Sequence, residues 1–118
     1  MQPRPRGLCS DMVKDINPRE FMERRAAGAD MILLDVREDW EVDKAPAPTE
    51  FLHIPMGELS ARLAELDPRR DTVVLCRSGG RSMQVAQFLD RQNFSSVSNL
   101  SGGILAWSRD LDPTIPTY

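Results

Sequence analysis

A short apolar run that leads directly into a cysteine and a glycine-rich loop is the most constraining feature of this sequence. Residues 73–75 read Val-Val-Leu, Cys76 follows, and a helical pattern of apolar residues starts at Ser82. Aliphatic and β-branched residues in a run of this length are typical of a buried strand, and paired glycines mark a tight turn. The pattern therefore predicts a strand, a loop and a helix N-terminus in direct succession.

The loop after Cys76 has the composition of an anion-binding turn. Gly79 and Gly80 permit positive φ, so that successive backbone N–H groups can point toward one place. The following helix N-terminus adds unpaired N–H groups and a partial positive charge, and Arg77 and Arg81 add full charges. Such surroundings lower the pKa of a thiol, so Cys76 is the candidate nucleophile. The alternative is a buried structural cysteine, because free cysteine is among the most buried residue types.

Strand-like and helix-like segments alternate along the rest of the chain. Alternation of this kind predicts an α/β domain with a mostly parallel central sheet and helices on both faces, and 118 residues suffice for one domain. Strands are predicted at residues 12–16, 31–34, 51–54 and 72–75 and near Val97, and helices from Asn17 to Gly28, at 58–66, from Ser82 and around Trp107.

The bulk composition argues against several classes of function. A net charge of −3 and a pI near 5.1 are unlike the basic face of a nucleic-acid-binding protein. No apolar run reaches membrane-spanning length, and the basic N-terminus lacks the apolar segment of a secretory signal. Two cysteines and one histidine predict neither a disulfide framework nor a metal site. We therefore expect a reduced thiol in the cytoplasm, with no cofactor, nucleic-acid or membrane partner.

Three motifs in order resemble the rhodanese-like sulfurtransferase family. Residues 76–82, Cys-Arg-Ser-Gly-Gly-Arg-Ser, look like the active-site loop of that family. Residues 34–38, Leu-Asp-Val-Arg-Glu, resemble its strand-end motif, and residues 99–107 resemble its late Leu-x-Gly-Gly-x-x-x-Trp signature. Residues 53–55, His-Ile-Pro, match a further segment in part. The resemblance spans about residues 16–108, and three ordered motifs are far more specific than one.

The resemblance implies a fold and a division of the chain. We expect a single rhodanese-like domain over residues 11–109, preceded by a flexible segment at 1–10 and followed by an extended tail at 110–118. The chain departs from the family around its one histidine, where Leu52 and Met56 flank His53-Ile54-Pro55 in place of glycines. We expect His53 to be a packed or hydrogen-bonded residue and not a catalytic base.

The resemblance also implies an activity, that of a thiosulfate sulfurtransferase. Cys76 would accept sulfane sulfur from thiosulfate or a related small donor as a persulfide, and pass it to cyanide or a thiol, including a thiol or other sulfur acceptor on a protein. Asp35 and Arg37 would support the wall beside the loop. The substrate-binding residues would be Arg77, Ser78, Gly79, Gly80, Arg81 and Ser82.

Two other functions remain open from the sequence. Phosphatases and arsenate reductases of a related fold have loops that resemble Cys-x5-Arg, whereas four residues separate Cys76 from Arg81. The shorter loop should crowd a tetrahedral phosphate, and it holds no acidic residue to protonate a leaving group. A binding module that has kept the fold without catalysis is the second alternative, because fold does not fix function.

Overall fold

A five-stranded parallel sheet organises residues 13–118, the part of the chain that the computed structural model describes. The order across the sheet is β1-β5-β4-β2-β3, and every neighbouring pair is parallel. The predicted parallel sheet is therefore confirmed. Cys9 and the segment predicted to be flexible, 1–10, lie outside the described residues. The strands are β1 (Lys14–Ile16), β2 (Met31–Asp35), β3 (Leu52–His53), β4 (Asp71–Leu75) and β5 (Val97–Leu100).

Helices connect the strands and cover both faces of the sheet, as predicted. None of those in residues 13–118 is long and apolar enough to cross a membrane. Two 3₁₀ segments, Met56–Glu58 and Ser60–Glu65, follow β3. The α-helices are α1 (Pro18–Ala26), α2 (Asp39–Lys44), α3 (Gly80–Arg91) and α4 (Gly103–Asp110).

Each face of the sheet has its own apolar core. On one face α1 and α4 meet, and the rings of Phe21 and Trp107 pack edge to face with centroids 5.9 Å apart. On the other face α3 packs Val85 and Leu89 against the sheet. Residues of β2 and β4 belong to both cores, which explains why these strands read as continuous apolar runs.

The register of β2 against β4 brings the predicted motifs together. Asp35 at the end of β2 pairs with Leu75 at the end of β4, so the segments that follow both strands leave the sheet at one edge. Parallel α/β sheets place functional side chains at this carboxyl edge. Cys76 and the Asp35–Arg37 motif therefore lie at the same end of the domain.

The prediction of an α-helix at residues 58–66 is wrong, because the segment forms 3₁₀ turns. The N–H of residue i+3 donates to the carbonyl oxygen of residue i, as Arg62 N does to Leu59 O, and Arg62 has non-helical angles (φ −114°, ψ 15°). Leu59 and Leu66 are buried against the α3 face. The segment is too short to be a stable helix by itself, so packing decides its conformation.

Helix α2 is not among the helices that the sequence predicts. The tail predicted at 110–118 contains turns and no regular element after Asp110, yet it packs against the domain. Ile115 is buried, and the Ser108 hydroxyl donates to its carbonyl oxygen at 2.8 Å. The tail therefore returns along the core to the edge where the Cys76 loop lies.

Candidate active site

Cys76 lies at the end of the middle strand, under a loop that turns its backbone toward the sulfur. The Gly79 N–H donates to Cys76 Sγ at 3.1 Å. Gly79 has φ 111°, a left-handed conformation that residues with a Cβ rarely adopt, and α3 starts at the next residue. The predicted strand, loop and helix start are all present, and the glycine is what aims the loop inward.

The surroundings of Cys76 favour its thiolate. Burial opposes ionisation, but hydrogen bonds from the Ser82 hydroxyl and from the backbone N–H groups of Ser82, Gly79 and Ser78 outweigh it. The pKa of Cys76 is therefore lowered from its ordinary value of 9.0. A buried structural cysteine among apolar groups would have a raised pKa, so the site differs from the structural alternative.

The base of the loop rests on the N-terminus of α4. The N–H groups of Ile104 and Leu105 donate to the carbonyl oxygens of Cys76 and Arg77, at 2.9 and 3.1 Å. A Cβ at Gly103 would lie 2.4 Å from the Arg77 oxygen, so this close approach requires glycine. The late Gly-Gly motif therefore supports the Cys76 loop.

A polar chain lies behind the sulfur. While Cys76 is a thiol, it donates to Ser82 Oγ at 3.2 Å, and the Ser82 hydroxyl donates to Asn99 Oδ1. The Asn99 amide then donates from Nδ2 to Asp15 Oδ1 at 3.2 Å. Ser82 and Asn99 are both buried, so β5 and β1 contribute directly to the environment of Cys76.

Arg81 is bound by a partner that the sequence does not predict. Its two terminal nitrogens donate to the two carboxylate oxygens of Glu41, both at 2.7 Å. The hydrogen bonds from Arg81, aided by bonds from the Glu38 backbone and from Tyr118 and opposed by burial, lower the pKa of Glu41 to about 2. Glu41 also raises the pKa of Arg81 above its ordinary value. The positive charge of Arg81 is thus balanced within the protein.

Tyr118 lies across the same edge of the site. Its hydroxyl donates to Glu41 Oε2 at 2.9 Å and accepts from Arg37 Nη1 at 3.0 Å. Its main-chain oxygen accepts from Arg77 Nε at 2.6 Å, and its ring lies edge to face with that of Trp40. The end of the described chain therefore touches both the predicted supporting arginine and a predicted substrate-binding arginine.

Asp35 and Arg37 form a fully buried ion pair at the end of β2. The Arg37 side chain donates to both carboxylate oxygens of Asp35, with the shortest distance 2.8 Å, and also to the Ala45 carbonyl oxygen at 2.9 Å. Arg37 thus fixes the path of α2, and α2 carries Glu41. The pair reaches the loop through Glu41, which is consistent with a supporting role.

His53 ties β3 to the segment that leads into α2. Its Nε2 donates to the Arg37 carbonyl oxygen at 2.6 Å, and its Nδ1 lies 3.8 Å from Asp39 Oδ1. The predicted hydrogen-bonded role is what the structure shows.

Other predicted residues lie at the mouth of the loop. Arg77, Ser78 and Gly80 are exposed, while Ser82 is buried behind the sulfur. Glu41 and Tyr118 are not among the predicted site residues, and only the folding of the chain brings them next to the loop. A Glu three residues after Glu38 is typical of a helix start, and the Glu38 N–H does donate to Glu41 Oε1 at 3.0 Å. No comparable signal pointed to Tyr118.

Comparison with known proteins decides the family. The family model of the rhodanese-like domain matches residues 17–110. The chain belongs to the rhodanese-like domain family. The resemblance predicted from three motifs is therefore confirmed over nearly the same residues.

Several relatives of this rhodanese-like domain are similar over most of its length. A putative sulfurtransferase, YtwF, of Bacillus subtilis is 39% identical, covering 86% of this chain and 96% of its own length. A sulfurtransferase of Allochromatium vinosum is 38% identical, covering 83% and 91%. The chloroplastic rhodanese-like/PpiC domain-containing protein 12 of Arabidopsis thaliana is 42% identical over 90% of this chain, but the match spans only 38% of that larger protein.

Solved structures share the architecture. A rhodanese-like domain protein from Staphylococcus aureus superposes with a TM-score of 0.75 at 24% identity, covering 90% of this chain and 99% of its own. At that identity the likeness supports the fold. The predicted rhodanese-like α/β domain is thus confirmed both by family and by architecture.

Proposed function

We propose that this rhodanese-like domain is a sulfurtransferase that carries sulfane sulfur as a persulfide on Cys76. The observation that carries the proposal is the Cys76 loop itself, where the Gly79 N–H lies 3.1 Å from Sγ and the pKa of the thiol is lowered. Relatives named as sulfurtransferases support sulfur transfer as the general chemistry. The donor, the acceptor and the residue roles below are our own assignments.

In the first half-reaction the Cys76 thiolate attacks the outer sulfur of thiosulfate or of a related donor. A bond forms between Sγ and that sulfur, while the bond to the sulfonate sulfur breaks and sulfite leaves with its electron pair. The new persulfide carries one negative charge on its outer sulfur. Backbone N–H groups of the loop stabilise that charge, as preorganised donors do for other anionic intermediates.

In the second half-reaction a thiolate or cyanide attacks the outer sulfur. The S–S bond breaks, its electron pair returns to Cys76 Sγ, and the acceptor leaves as a persulfide or as thiocyanate. Two successive displacements at one nucleophile give ping-pong kinetics. A protein acceptor follows the same chemistry, since the exposed rim of Arg77, Ser78 and Gly80 leaves the loop accessible from solvent.

The two loop arginines have different roles in this scheme. Arg81 is bound by the buried carboxylate of Glu41, which balances its charge, so we assign it the role of holding the shape of the loop. Arg77 is exposed, and its contact with the Tyr118 main-chain oxygen is one that an anionic donor can replace. We therefore assign Arg77 to the binding of the sulfonate oxygens of the donor.

A reduced Cys76 thiol is compatible with a reducing compartment such as the cytoplasm.

The test is a side-by-side assay of the full chain with thiosulfate plus cyanide and with an aryl phosphate. We expect thiocyanate formation with parallel double-reciprocal lines, and negligible phosphate release. The four-residue spacing from Cys76 to Arg81 and the absence of an acid in the loop are the reasons for the second expectation. Phosphatase turnover without thiocyanate formation would contradict the proposal and favour the related phosphatase chemistry. A chain inactive toward both substrates, with no persulfide on Cys76, would favour the binding module.

A further inference from the structure

The hydrogen bonds behind Cys76 run in one direction, away from the loop and toward β1. The Cys76 thiol donates to Ser82, Ser82 donates to Asn99, and Asn99 donates to Asp15. Ser82 is fully buried and Asn99 is 5% exposed, so water does not compete for these groups. The loop N–H groups face one side of the sulfur, and this polar chain of Ser82, Asn99 and Asp15 lies on the other side.

Asp15 sets the direction of the chain. A carboxylate only accepts hydrogen bonds, so it selects the NH₂ end of the Asn99 amide, with Nδ2 at 3.2 Å from Oδ1. The carbonyl end of the amide then faces Ser82 and can only accept. The single proton of the Ser82 hydroxyl is therefore directed to Asn99, and its lone pairs face the thiol.

We propose that Asn99 is a positioning residue for the nucleophile: its Oδ1 accepts the hydrogen bond of the Ser82 hydroxyl while Cys76 is a thiol, and the hydroxyl turns to donate to Sγ when the thiolate forms. This inference rests on the proposed function of Cys76. A thiolate has no proton to donate and becomes an acceptor, so Asn99 Oδ1 and Sγ then compete for one hydroxyl proton. Asn99 thereby limits how strongly Ser82 supports the thiolate.

The same competition follows the proposed reaction. In the persulfide the negative charge lies on the outer sulfur, and Sγ, bonded to carbon and sulfur, is a weak acceptor. The Ser82 hydroxyl then donates to Asn99. When an acceptor removes the outer sulfur, the electron pair returns to Sγ and the hydroxyl turns back toward it. The hydroxyl rotates twice in each turnover, and no proton is transferred along the chain.

Several charged groups surround the Cys76 loop, and none of them is altered by a substitution of Asn99 itself. The first turn of α4 carries no charged residue. Asn99→Leu leaves the charged side chains around the loop in place. A change in the titration of the Cys76 thiol in this variant therefore reports on the Ser82 hydroxyl. The charged groups around the loop are Arg77 and Arg81 within it, the Asp35–Arg37 ion pair at the neighbouring end of β2, Glu41 on α2, and Asp15 behind Asn99.

The first test measures the pH dependence of alkylation at the Cys76 peptide in the full chain. Asn99→Leu keeps the approximate shape of the side chain and removes its acceptor oxygen. We expect the midpoint to fall by about half to one pH unit, the size of one ordinary hydrogen bond. An unchanged or raised midpoint in a folded Asn99→Leu protein would overturn the inference.

A double-mutant cycle separates positioning from packing. Ser82→Ala removes the hydroxyl, so the midpoint should rise, and adding Asn99→Leu to this variant should then change nothing. A packing effect of Asn99 on β5 or on the loop would shift the midpoint equally with and without the hydroxyl. That equal shift would contradict the proposal.

Substitution of Asp15 gives a second test of the role of Asn99 that leaves the buried side chains of Ser82 and Asn99 unchanged. Asp15 is exposed, so its substitution should leave the fold intact. Asp15→Asn removes the charge but keeps an acceptor oxygen for the Asn99 amide, whereas Asp15→Ala removes both. We expect the midpoint to be lower in Asp15→Ala than in Asp15→Asn, because an unanchored amide can turn its NH₂ group toward Ser82. Equal midpoints in the two variants would overturn the inference.

These measurements need no sulfur donor. A protein that shows the expected shifts but forms no persulfide would contradict the proposed function alone. A protein that forms the persulfide but shows no shift would contradict the role of Asn99 alone.

Discussion

Glu41 binds Arg81 with both carboxylate oxygens, each 2.7 Å from a different guanidinium nitrogen. The two residues lie 40 positions apart, Glu41 on α2 and Arg81 in the first turn of α3. The Glu41 side chain is 4% exposed, so water screens the pair less than it screens a surface ion pair. This contact joins the segment after β2 to the Cys76 loop.

Glu41→Gln should make the protein less stable at neutral pH and remove part of its acid sensitivity. The lowered pKa of about 2 means that Glu41 stabilises the fold fully above pH 4.5, and that this contribution is lost as the pH falls toward 2. Allowing for the partial exposure of Arg81, we expect a loss of roughly 2 kcal/mol in the free energy of unfolding at pH 7. Urea unfolding of the wild type and of Glu41→Gln at several pH values measures this loss.

The matched control is Glu58→Gln, which breaks an exposed pair with Arg62. Exposed pairs of this kind contribute little to stability, so Glu58→Gln should unfold close to the wild type at every pH. The difference between wild type and Glu41→Gln should shrink as the pH approaches 2, because the wild-type carboxylate itself becomes protonated. A difference that is the same at pH 7 and at low pH would show that Glu41 acts by packing and not by its charge.

Cys76 should ionise below its ordinary pKa of 9.0. The expected cause is the donation of the Ser82 hydroxyl and of the loop N–H groups to the thiolate, which together exceed the opposing effect of burial. The ultraviolet absorbance of the thiolate, taken as the difference between wild type and Cys76→Ser, follows the titration directly. A midpoint above the ordinary value would restore the interpretation of Cys76 as a structural cysteine.

Gly103→Ala should distort the Cys76 loop at the point where α4 contacts its backbone. The added Cβ would lie 2.4 Å from the Arg77 oxygen and 2.5 Å from the Cys76 oxygen, and Gly103 also has a positive φ of 61°. We expect a loss of about 2 kcal/mol or more in stability, together with a loss of sulfur transfer.

Gly57→Ala is the control for Gly103→Ala, because a Cβ at Gly57 meets nothing within 4 Å and Gly57 is exposed. It should alter neither stability nor activity. Thermal unfolding and the thiocyanate assay give both readouts. If both variants behave like wild type, α4 does not support the loop in the way its hydrogen bonds indicate.

The parts of the site that the sequence predicted are those set by local structure. The strand, the Gly79 turn and the helix start occupy consecutive residues, so their pattern is visible in one short window. The resemblance to the rhodanese-like family implies that the Asp35–Arg37 motif lies beside this loop, and the parallel pairing of β2 with β4 accounts for that placement. The loop itself is predictable from short-range geometry alone.

The parts that the sequence missed depend on contacts between distant segments. Glu41 and Tyr118 are 77 positions apart, and their hydrogen bond exists only because the tail returns past Ile115 to the sheet edge. Residues 58–66 carry apolar spacing typical of a helix, but the short segment takes its conformation from packing against α3. Neither outcome can be derived from periodicity.

The central claim is that Cys76 carries the transferred sulfur, and mass spectrometry of the protein after treatment with thiosulfate tests it most directly. We expect the Cys76 peptide of the wild type to gain the mass of one sulfur atom, and to lose it when cyanide is added. Cys9→Ser should behave like the wild type, whereas Cys76→Ser should gain no sulfur. A persulfide that forms on Cys9, or a wild-type protein that gains no sulfur at Cys76, would contradict the account.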